Sequence, residues 1–150
     1  MKVYLAGPVF TCAEREFNER LAEAIERQCK SVEIILPQES AAELSGAKDF
    51  AQQMFHIALD SIDKCDMVVA ILDGPDADSG TCVEIGYAKA KGKPIIGVRT
   101  DSRASEDRGL NLMVANICSS LVLSPSLTVS MERLAKQIAE NLTYKDRKEK

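Results

Sequence analysis

The sequence lacks the residues that build metal sites. His56 is the only histidine, and the five cysteines contain no C-x-x-C pair. Zinc sites need several Cys or His ligands at short spacing, so we expect no metal. An odd number of scattered thiols and no recognisable signal peptide predict reduced cysteines in a cytoplasmic protein.

Three common active-site motifs are also missing. No G-x-G-x-x-G follows the first apolar run, and no G-x-x-x-x-G-K-[ST] or G-x-S-x-G occurs anywhere. These absences disfavour a nicotinamide site, a nucleoside-triphosphate site and a serine-hydrolase elbow. No apolar run is long enough to cross a membrane. With a net charge of −4, we expect neither a membrane nor a nucleic acid polymer as partner.

The composition is that of an ordinary globular protein, with 45% hydrophobic and 28% charged residues over 150 positions. That length suits one substantial core, so we expect a single domain over residues 1–150. Charges of alternating sign at the end predict that residues 143–150 form a frayed tail.

Short apolar runs alternate with helical patterns along the chain. This alternation predicts an α/β protein with a doubly wound, five-stranded parallel sheet. Predicted strands cover Met1–Ala6, Val32–Leu36, Met67–Leu72, Pro94–Val98 and Ser120–Leu123. Predicted helices follow Thr11, which forms a capping-box pattern with Glu14, and cover Phe50–Lys64, Ser79–Lys91, Asn111–Cys118 and Leu127–Leu142. Loops are expected at Gln38–Gly46 and Arg99–Gly109.

The most informative stretch is Asp66–Lys93, which reads DMVVAILDGPDADSGTCVEIGYAKAKGK. Its apolar run indicates a strand buried on both faces. Four carboxylates follow within a short distance: Asp73, Asp76, Asp78 and Glu84. Ligands of open α/β sheets bind at the carboxyl ends of the strands. We therefore expect the functional site here.

Three stretches together resemble the nucleoside 2-deoxyribosyltransferase family. They are VYLAGPVF (Val3–Phe10), DMVVAILDGPDADSGTCVEIGYAKAKGKP (Asp66–Pro94) and GLNLM (Gly109–Met113). The resemblance implies a flavodoxin-like, three-layer αβα fold without a cofactor. It also implies transfer of 2-deoxyribose between nucleobases, with nucleosides and free nucleobases as partners. Members form homo-oligomers in which neighbours complete each other's sites.

Carried over by position, the resemblance makes Glu84 the nucleophile that attacks the anomeric carbon. A carboxylate stabilises the positive charge that develops on the sugar and then traps it covalently. A position near the start of a helix would favour the ionised form. Asp78 matches the residue that helps to protonate the base, and Tyr4 matches the tyrosine that holds the nucleophile. Each also has a purely structural reading: a helix-stabilising Glu, an N-cap Asp and a core Tyr.

The resemblance further implies a set of substrate-binding residues. In the same subunit they are Gly7, Pro8, Asp76, Ser79 and Gly80, and in the neighbouring subunit Asn111, which bonds the sugar 5′-hydroxyl, and Met113. Turn or cap chemistry explains several of them equally well.

The chain departs from the family pattern at Ala58, where an Asp or Asn is common. Whether His56, Asp60 or Asp63 substitutes for it stays open. Two other functions are also open. A related hydrolase of 2′-deoxynucleoside 5′-monophosphates would share Glu84, although Asp78 would repel a phosphate. A non-catalytic module that senses nucleosides or nucleotides would share the fold alone.

Overall fold

The computed structural model describes residues 1–103, 110–125 and 127–144. Its strands are β1 (Lys2–Ala6), β2 (Glu33–Ile35), β3 (Met67–Ile71), β4 (Ile95–Arg99) and β5 (Ser120–Leu123). The helices in these ranges are α1 (Cys12–Gln28), α2 (Pro37–Glu43), α3 (Phe50–Lys64), α4 (Ser79–Ala90), α5 (Leu112–Ile117) and α6 (Met131–Tyr144). Every predicted strand is present, with ends within one residue of the prediction.

All strand pairs are parallel, and the sheet order is β2-β1-β3-β4-β5. This is the flavodoxin-like doubly wound order, which confirms the predicted fold class. Successive side chains of a strand point to opposite faces. In β1, Val3 therefore packs on the face covered by α1 and α6, whereas Tyr4 packs on the face covered by α3, α4 and α5.

Strand β3 occupies the centre of the sheet, and all five of its residues are buried. It pairs with β1 on one side and β4 on the other, and the carboxyl ends of these three strands meet at one edge. The loops after β1 and β3 leave the sheet there. Parallel pairing thus places Gly7 and the acidic turn after β3 at the same edge.

The predicted loop at Gln38–Gly46 is wrong, because Pro37–Glu43 forms helix α2. Proline at the first helical position needs no N–H partner, and the following Glu and Ala residues favour helix. Gln38 is buried, and its Nε2 donates to Arg15 O at 3.1 Å and to Glu19 Oε1 at 2.8 Å. These contacts with α1 hold the short helix in place.

Two predictions for the end of the chain need correction. Leu127 does not belong to the buried face of the last helix, because α6 begins at Met131 and Leu127 is 90% exposed. Residues 143 and 144 were expected in the frayed tail but belong to α6. The rest of that tail, 145–150, and most of the loop predicted at Arg99–Gly109 lie outside the described residues.

No helix in the described ranges is both long enough and apolar enough to span a lipid bilayer.

The capping box at the start of α1 is confirmed. Thr11 Oγ1 accepts from Glu14 N at 3.2 Å, and Glu14 Oε2 accepts from Thr11 N at 2.7 Å. The pair satisfies two backbone donors that would otherwise lack partners in the first turn.

We expect Thr11→Ala to lower the free energy of unfolding by about 1 kcal/mol, because the capping oxygen is lost. Urea denaturation followed by circular dichroism measures the change. Thr11→Ser keeps the hydroxyl and serves as the matched control. Equal loss in both variants would show that the threonine methyl group, and not the cap, supplies the stability.

Candidate active site

A cleft of about 500 Å³ opens at the carboxyl edge of the sheet, between α3 and α4. Its deep end holds Gly7 and Glu84, and Asp78 lies on the α4 side. The other residues that line it are Val9, Phe10, Pro37, Ala51, Met54, Phe55, Ala58, Leu59, Gly80, Thr81 and Val83. The cleft lies where ligands of doubly wound sheets bind.

Glu84 is held by a buried tyrosine. Tyr4 Oη donates to Glu84 Oε1 at 2.6 Å, and the Tyr4 side chain is completely buried. The two residues are 80 positions apart in the chain. The hydrogen bond fixes the orientation of the carboxylate, so one oxygen is engaged at a defined position beside the cleft.

Burial raises the pKa of Glu84 to about 7. The hydrogen bond from Tyr4 opposes this effect and lowers that pKa, and the nearby charge of Asp78 raises it further. Burial also raises the pKa of Tyr4 far above its usual range, and the Glu84 carboxylate adds to that rise. The tyrosine is therefore a permanent donor, and the Glu84 carboxylate titrates near neutral pH.

The helix dipole contributes less to Glu84 than the sequence suggested. Glu84 is the sixth residue of α4 and lies in the second turn. The dipole effect falls off within the first turn. The ionisation of the Glu84 carboxyl is governed mainly by burial and by the hydrogen bond from Tyr4.

Asp78 is both the N-cap of α4 and a wall of the cleft. Its Oδ2 accepts from Thr81 N at 2.9 Å and from Thr81 Oγ1 at 3.2 Å. Gly80 lies so close that a Cβ at this position would be 3.1 Å from Asp78 Oδ2. The cap therefore orients the carboxylate at the cleft, and the structural and functional readings of Asp78 are compatible.

The turn between β3 and α4 is held from the side by the end of β4. Asp73 accepts from Thr100 N at 2.6 Å, from Thr100 Oγ1 at 2.5 Å and from Asp101 N at 2.9 Å. Arg99, which is buried, donates to Leu72 O at 2.5 Å and to Gly74 O at 3.0 Å. Asp73 is therefore a scaffold residue of the site. The sequence pattern placed Arg99 in a predicted loop and did not indicate this role.

The structure brings some of the predicted site residues together and not others. Glu84, Asp78, Gly7 and Gly80 line the cleft, and Tyr4 contacts it through Glu84. The remaining predicted residues of the same subunit do not line it: Pro8, Asp76 and Ser79. Pro8 O accepts from Asn18 Nδ2 at 3.0 Å, and Asp76 Oδ1 accepts from Ala77 N at 3.0 Å.

Asn111 and Met113 are absent from the lining of this cleft. Asn111 is exposed and caps α5, since its Oδ1 accepts from Met113 N at 2.8 Å. Met113 is 78% exposed and borders a second, apolar cleft of about 310 Å³ between α4 and α5. Within one subunit, these two residues therefore cannot act on a ligand beside Glu84 without a rearrangement.

The sequence interpretation identified only position 58 on the α3 side of the cleft. Ala51, Met54, Phe55, Ala58 and Leu59 all face it, and their spacing of three and four residues was the available signal. Phe10 faces them from the loop after β1, where Arg15 donates to Val9 O at 2.8 Å and to Phe10 O at 3.1 Å.

None of the residues considered as replacements at Ala58 lines the cleft. His56 is exposed and packs edge-on against Phe55, with ring centroids 5.5 Å apart. Asp60 is exposed as well. Asp63 pairs with Lys91, whose Nζ is 2.9 Å from Asp63 Oδ1. In the part of the chain that is described, no group of three or more His, Cys, Asp or Glu side chains could hold a metal ion.

Relatives of known structure share this architecture. A conserved protein of Enterococcus faecalis is 30% identical with a TM-score of 0.76, and the match covers 94% of this chain and 98% of that one. A 2-deoxyribosyltransferase of Bacillus psychrosaccharolyticus is 24% identical with a TM-score of 0.65, covering 81% and 85%. A CMP N-glycosidase of Clostridium botulinum is 20% identical with a TM-score of 0.60, covering 92% and 98%. The latter two likenesses show the fold.

Sequence comparisons define the family. An uncharacterized protein of Schizosaccharomyces pombe is 35% identical in an alignment of 111 residues that covers 67% of this chain and 51% of that protein. The chain thus spans about half the length of this curated relative. The model of the family described as nucleoside 2-deoxyribosyltransferase matches residues 3–113. This range includes the strands β3 and β4, almost all of β1, and the helix α4, which carries Glu84. The chain therefore belongs to the nucleoside 2-deoxyribosyltransferase family.

Proposed function

We propose that this protein transfers 2-deoxyribose from a nucleoside to a free nucleobase through a covalent intermediate on Glu84. The observation that carries the proposal is the 2.6 Å hydrogen bond from buried Tyr4 to Glu84 at the deep end of the cleft. A carboxylate fixed in this way, with Asp78 on the same wall, matches the nucleophile and acid of a retaining glycosyl transfer. Family membership supports the same reaction.

In the first half-reaction, a Glu84 carboxylate oxygen bonds to the anomeric carbon of the deoxyribose. The N-glycosidic bond breaks, and its electron pair stays on the base nitrogen. Asp78 passes a proton from the solvent to the base, which leaves as a neutral molecule. The products are a deoxyribosyl ester of Glu84 and the free base.

In the second half-reaction, another base enters the place that the first one left. Its ring nitrogen attacks the anomeric carbon and displaces the Glu84 carboxylate, and its N–H proton passes through Asp78 to the solvent. Each half-reaction inverts the configuration, so the overall transfer retains it. Glu84 must be ionised when the nucleoside binds, before the first half-reaction. The hydrogen bond from Tyr4 keeps one of its carboxylate oxygens oriented in both half-reactions.

A nucleotide N-glycosidase is the second candidate, because a CMP N-glycosidase shares the fold. The charges of the cleft favour the transferase. Its lining contains two carboxylates, Asp78 and Glu84, and none of the described residues that line it is Lys, Arg or His. A 5′-phosphate would meet negative charge without a cationic partner. Unphosphorylated nucleosides suit this site better.

The proposed site is completed by a second copy of the chain. Val83, Leu112 and Met113 are 62%, 60% and 78% exposed, which is unusual for large apolar side chains on neighbouring helices. Asn111 lies beside them and outside its own cleft. A homo-oligomer that packs these surfaces together would cover the apolar side chains and bring Asn111 to the sugar of a neighbour.

Replacing the nucleophile tests the reaction itself. We expect Glu84→Gln to reduce transfer from deoxyinosine or thymidine to adenine by at least about a thousandfold, because the amide cannot form the ester. Chromatography of the bases measures the rate. Glu132→Gln, on the exposed side of α6, is the control.

Mass spectrometry of the native protein with donor and no acceptor should show a deoxyribosyl adduct that the Glu84→Gln variant lacks. Undiminished transfer by Glu84→Gln would remove Glu84 from the mechanism.

The Tyr4–Glu84 bond predicts a pH dependence. The nucleophile must be ionised, so kcat/KM should rise with pH through about 7, the pKa that burial gives Glu84. The hydrogen bond from Tyr4 lowers the pKa of Glu84. In Tyr4→Phe, the rise of kcat/KM should therefore shift to higher pH, and kcat/KM should be lower than in the native protein at every pH below the shifted pKa.

Tyr87→Phe is the matched control, because the Tyr87 hydroxyl bonds Asp63 at 3.1 Å and is absent from the lining of the cleft. If the pH profile of Tyr4→Phe does not shift, the ionisation that controls kcat/KM belongs to a group other than Glu84.

Mixing two inactive variants tests the shared site. We expect Glu84→Ala and Asn111→Ala each to be inactive alone. Co-assembled in equal amounts as a dimer, they should recover about a quarter of the native sites, since half of the dimers are mixed and each holds one intact site. Activity of the mixture no higher than that of the separate variants would show that each subunit works alone.

A further inference from the structure

The apolar stripe of α3 is longer than the core that it packs against. Residues 51, 54, 55, 58, 59 and 62 recur at helical spacing on one face. Ile62 at the end of this stripe is completely buried among the residues of the core. The five residues before it face the cleft instead. Five of the six residues of this stripe are therefore presented to whatever occupies the cleft.

The two sides of the cleft differ in chemistry. Of the fourteen residues that line it, three have polar side chains, Asp78, Thr81 and Glu84, and all three belong to the N-cap or the first turns of α4. The α3 side supplies methyl, thioether and ring groups. Phe55 of α3 and Phe10 of the loop after β1 also line the cleft and are 54% and 75% exposed. Hydrogen bonds can form along α4, and only apolar contact along α3.

This asymmetry orients a nucleoside whose anomeric carbon lies at Glu84. Sugar hydroxyls need hydrogen-bond partners, so the deoxyribose belongs on the α4 side. The planar base then extends from Asp78, which faces its sugar-proximal edge, along α3, where aromatic rings favour flat, apolar groups. The base edge that faces α3 finds neither a donor nor an acceptor on Ala51, Met54, Phe55, Ala58 or Leu59. An amino or carbonyl group on that edge would lose its water without replacement.

We propose that this cleft selects nucleobases that carry an apolar substituent on the edge remote from the sugar, such as purines alkylated on the exocyclic amine. The inference rests on the proposed transfer reaction and adds its substrate class. Ala58 is a specificity-determining residue in this scheme, because its small side chain leaves the middle of the α3 wall both open and apolar. The cleft volume of about 500 Å³ lies within the range of sites for ligands larger than a bare base.

Competition between two acceptors tests the proposal. The native protein receives deoxyinosine with equal concentrations of adenine and N6-benzyladenine, and chromatography measures the ratio of the two new nucleosides. We expect the substituted base to be preferred by about tenfold or more in kcat/KM. Preference for adenine, or equal use of both, would overturn the inference.

Variants locate the preference on the α3 wall. Ala58→Asn adds a donor and an acceptor there, and we expect it to reduce the acceptor ratio by about tenfold, chiefly through the KM of the substituted base. Ala51→Asn, on the exposed part of the same wall, provides a second test should Ala58→Asn not fold. Ala90→Asn makes the same change at an exposed position of α4 outside the cleft, and should keep the native ratio. A ratio that is the same in all variants would refute the role of the wall.

Binding separates this inference from the proposed function. If neither base receives deoxyribose, the transfer reaction is refuted, and calorimetric titration with the free bases then decides the substrate class alone. N6-benzyladenine should bind the native protein at least about tenfold more tightly than adenine, and Ala58→Asn should remove the difference. Equal binding of the two bases would overturn the inference, and would be expected if a second copy of the chain covers the wall.

Discussion

One buried hydrogen bond constrains the site more than any other contact. Tyr4 donates to Glu84 from the middle of β1, and both residues depend on the parallel register of β1 with β3 for their positions. This hydrogen bond orients the Glu84 carboxylate because the Tyr4 hydroxyl is buried in the core, where water does not compete for it. The packing that buries Tyr4 therefore also orients the Glu84 carboxylate.

Burial has a second consequence at this edge of the sheet. A carboxyl group withdrawn from water resists ionisation, and Tyr4 partly restores it, so Glu84 titrates near neutral pH. The neighbouring turn is held by the end of β4, because Arg99 donates to the carbonyl groups of Leu72 and Gly74 and Asp73 accepts from the backbone of Thr100. The acidic residues after β3 thus have different contacts. Asp73 supports the turn, Asp78 caps α4 at the cleft, and Glu84 lies at the deep end of the cleft.

Helix α3 shows how one element serves both the core and the ligand site. Its last turns pack Ile62 into the core, and its first turns present the same stripe to the cleft. The departure from the family pattern at Ala58 lies in the middle of this wall. The position that lacks the polar group is therefore part of a continuous apolar surface.

The sequence by itself determined the order of strands and helices, the parallel sheet and the stretch that carries the carboxylates, because these follow from local periodicity and strand ends. It also pointed to Tyr4, Asp78 and Glu84 through a motif. It failed at α2, whose helix depends on contacts of Gln38 with α1. Only the tertiary structure decided the apolar wall of α3, the pKa of Glu84 and the separation of Asn111 from the cleft. Those properties depend on which residues meet in space, and the partners of Glu84 are brought together from positions 80 apart in the chain.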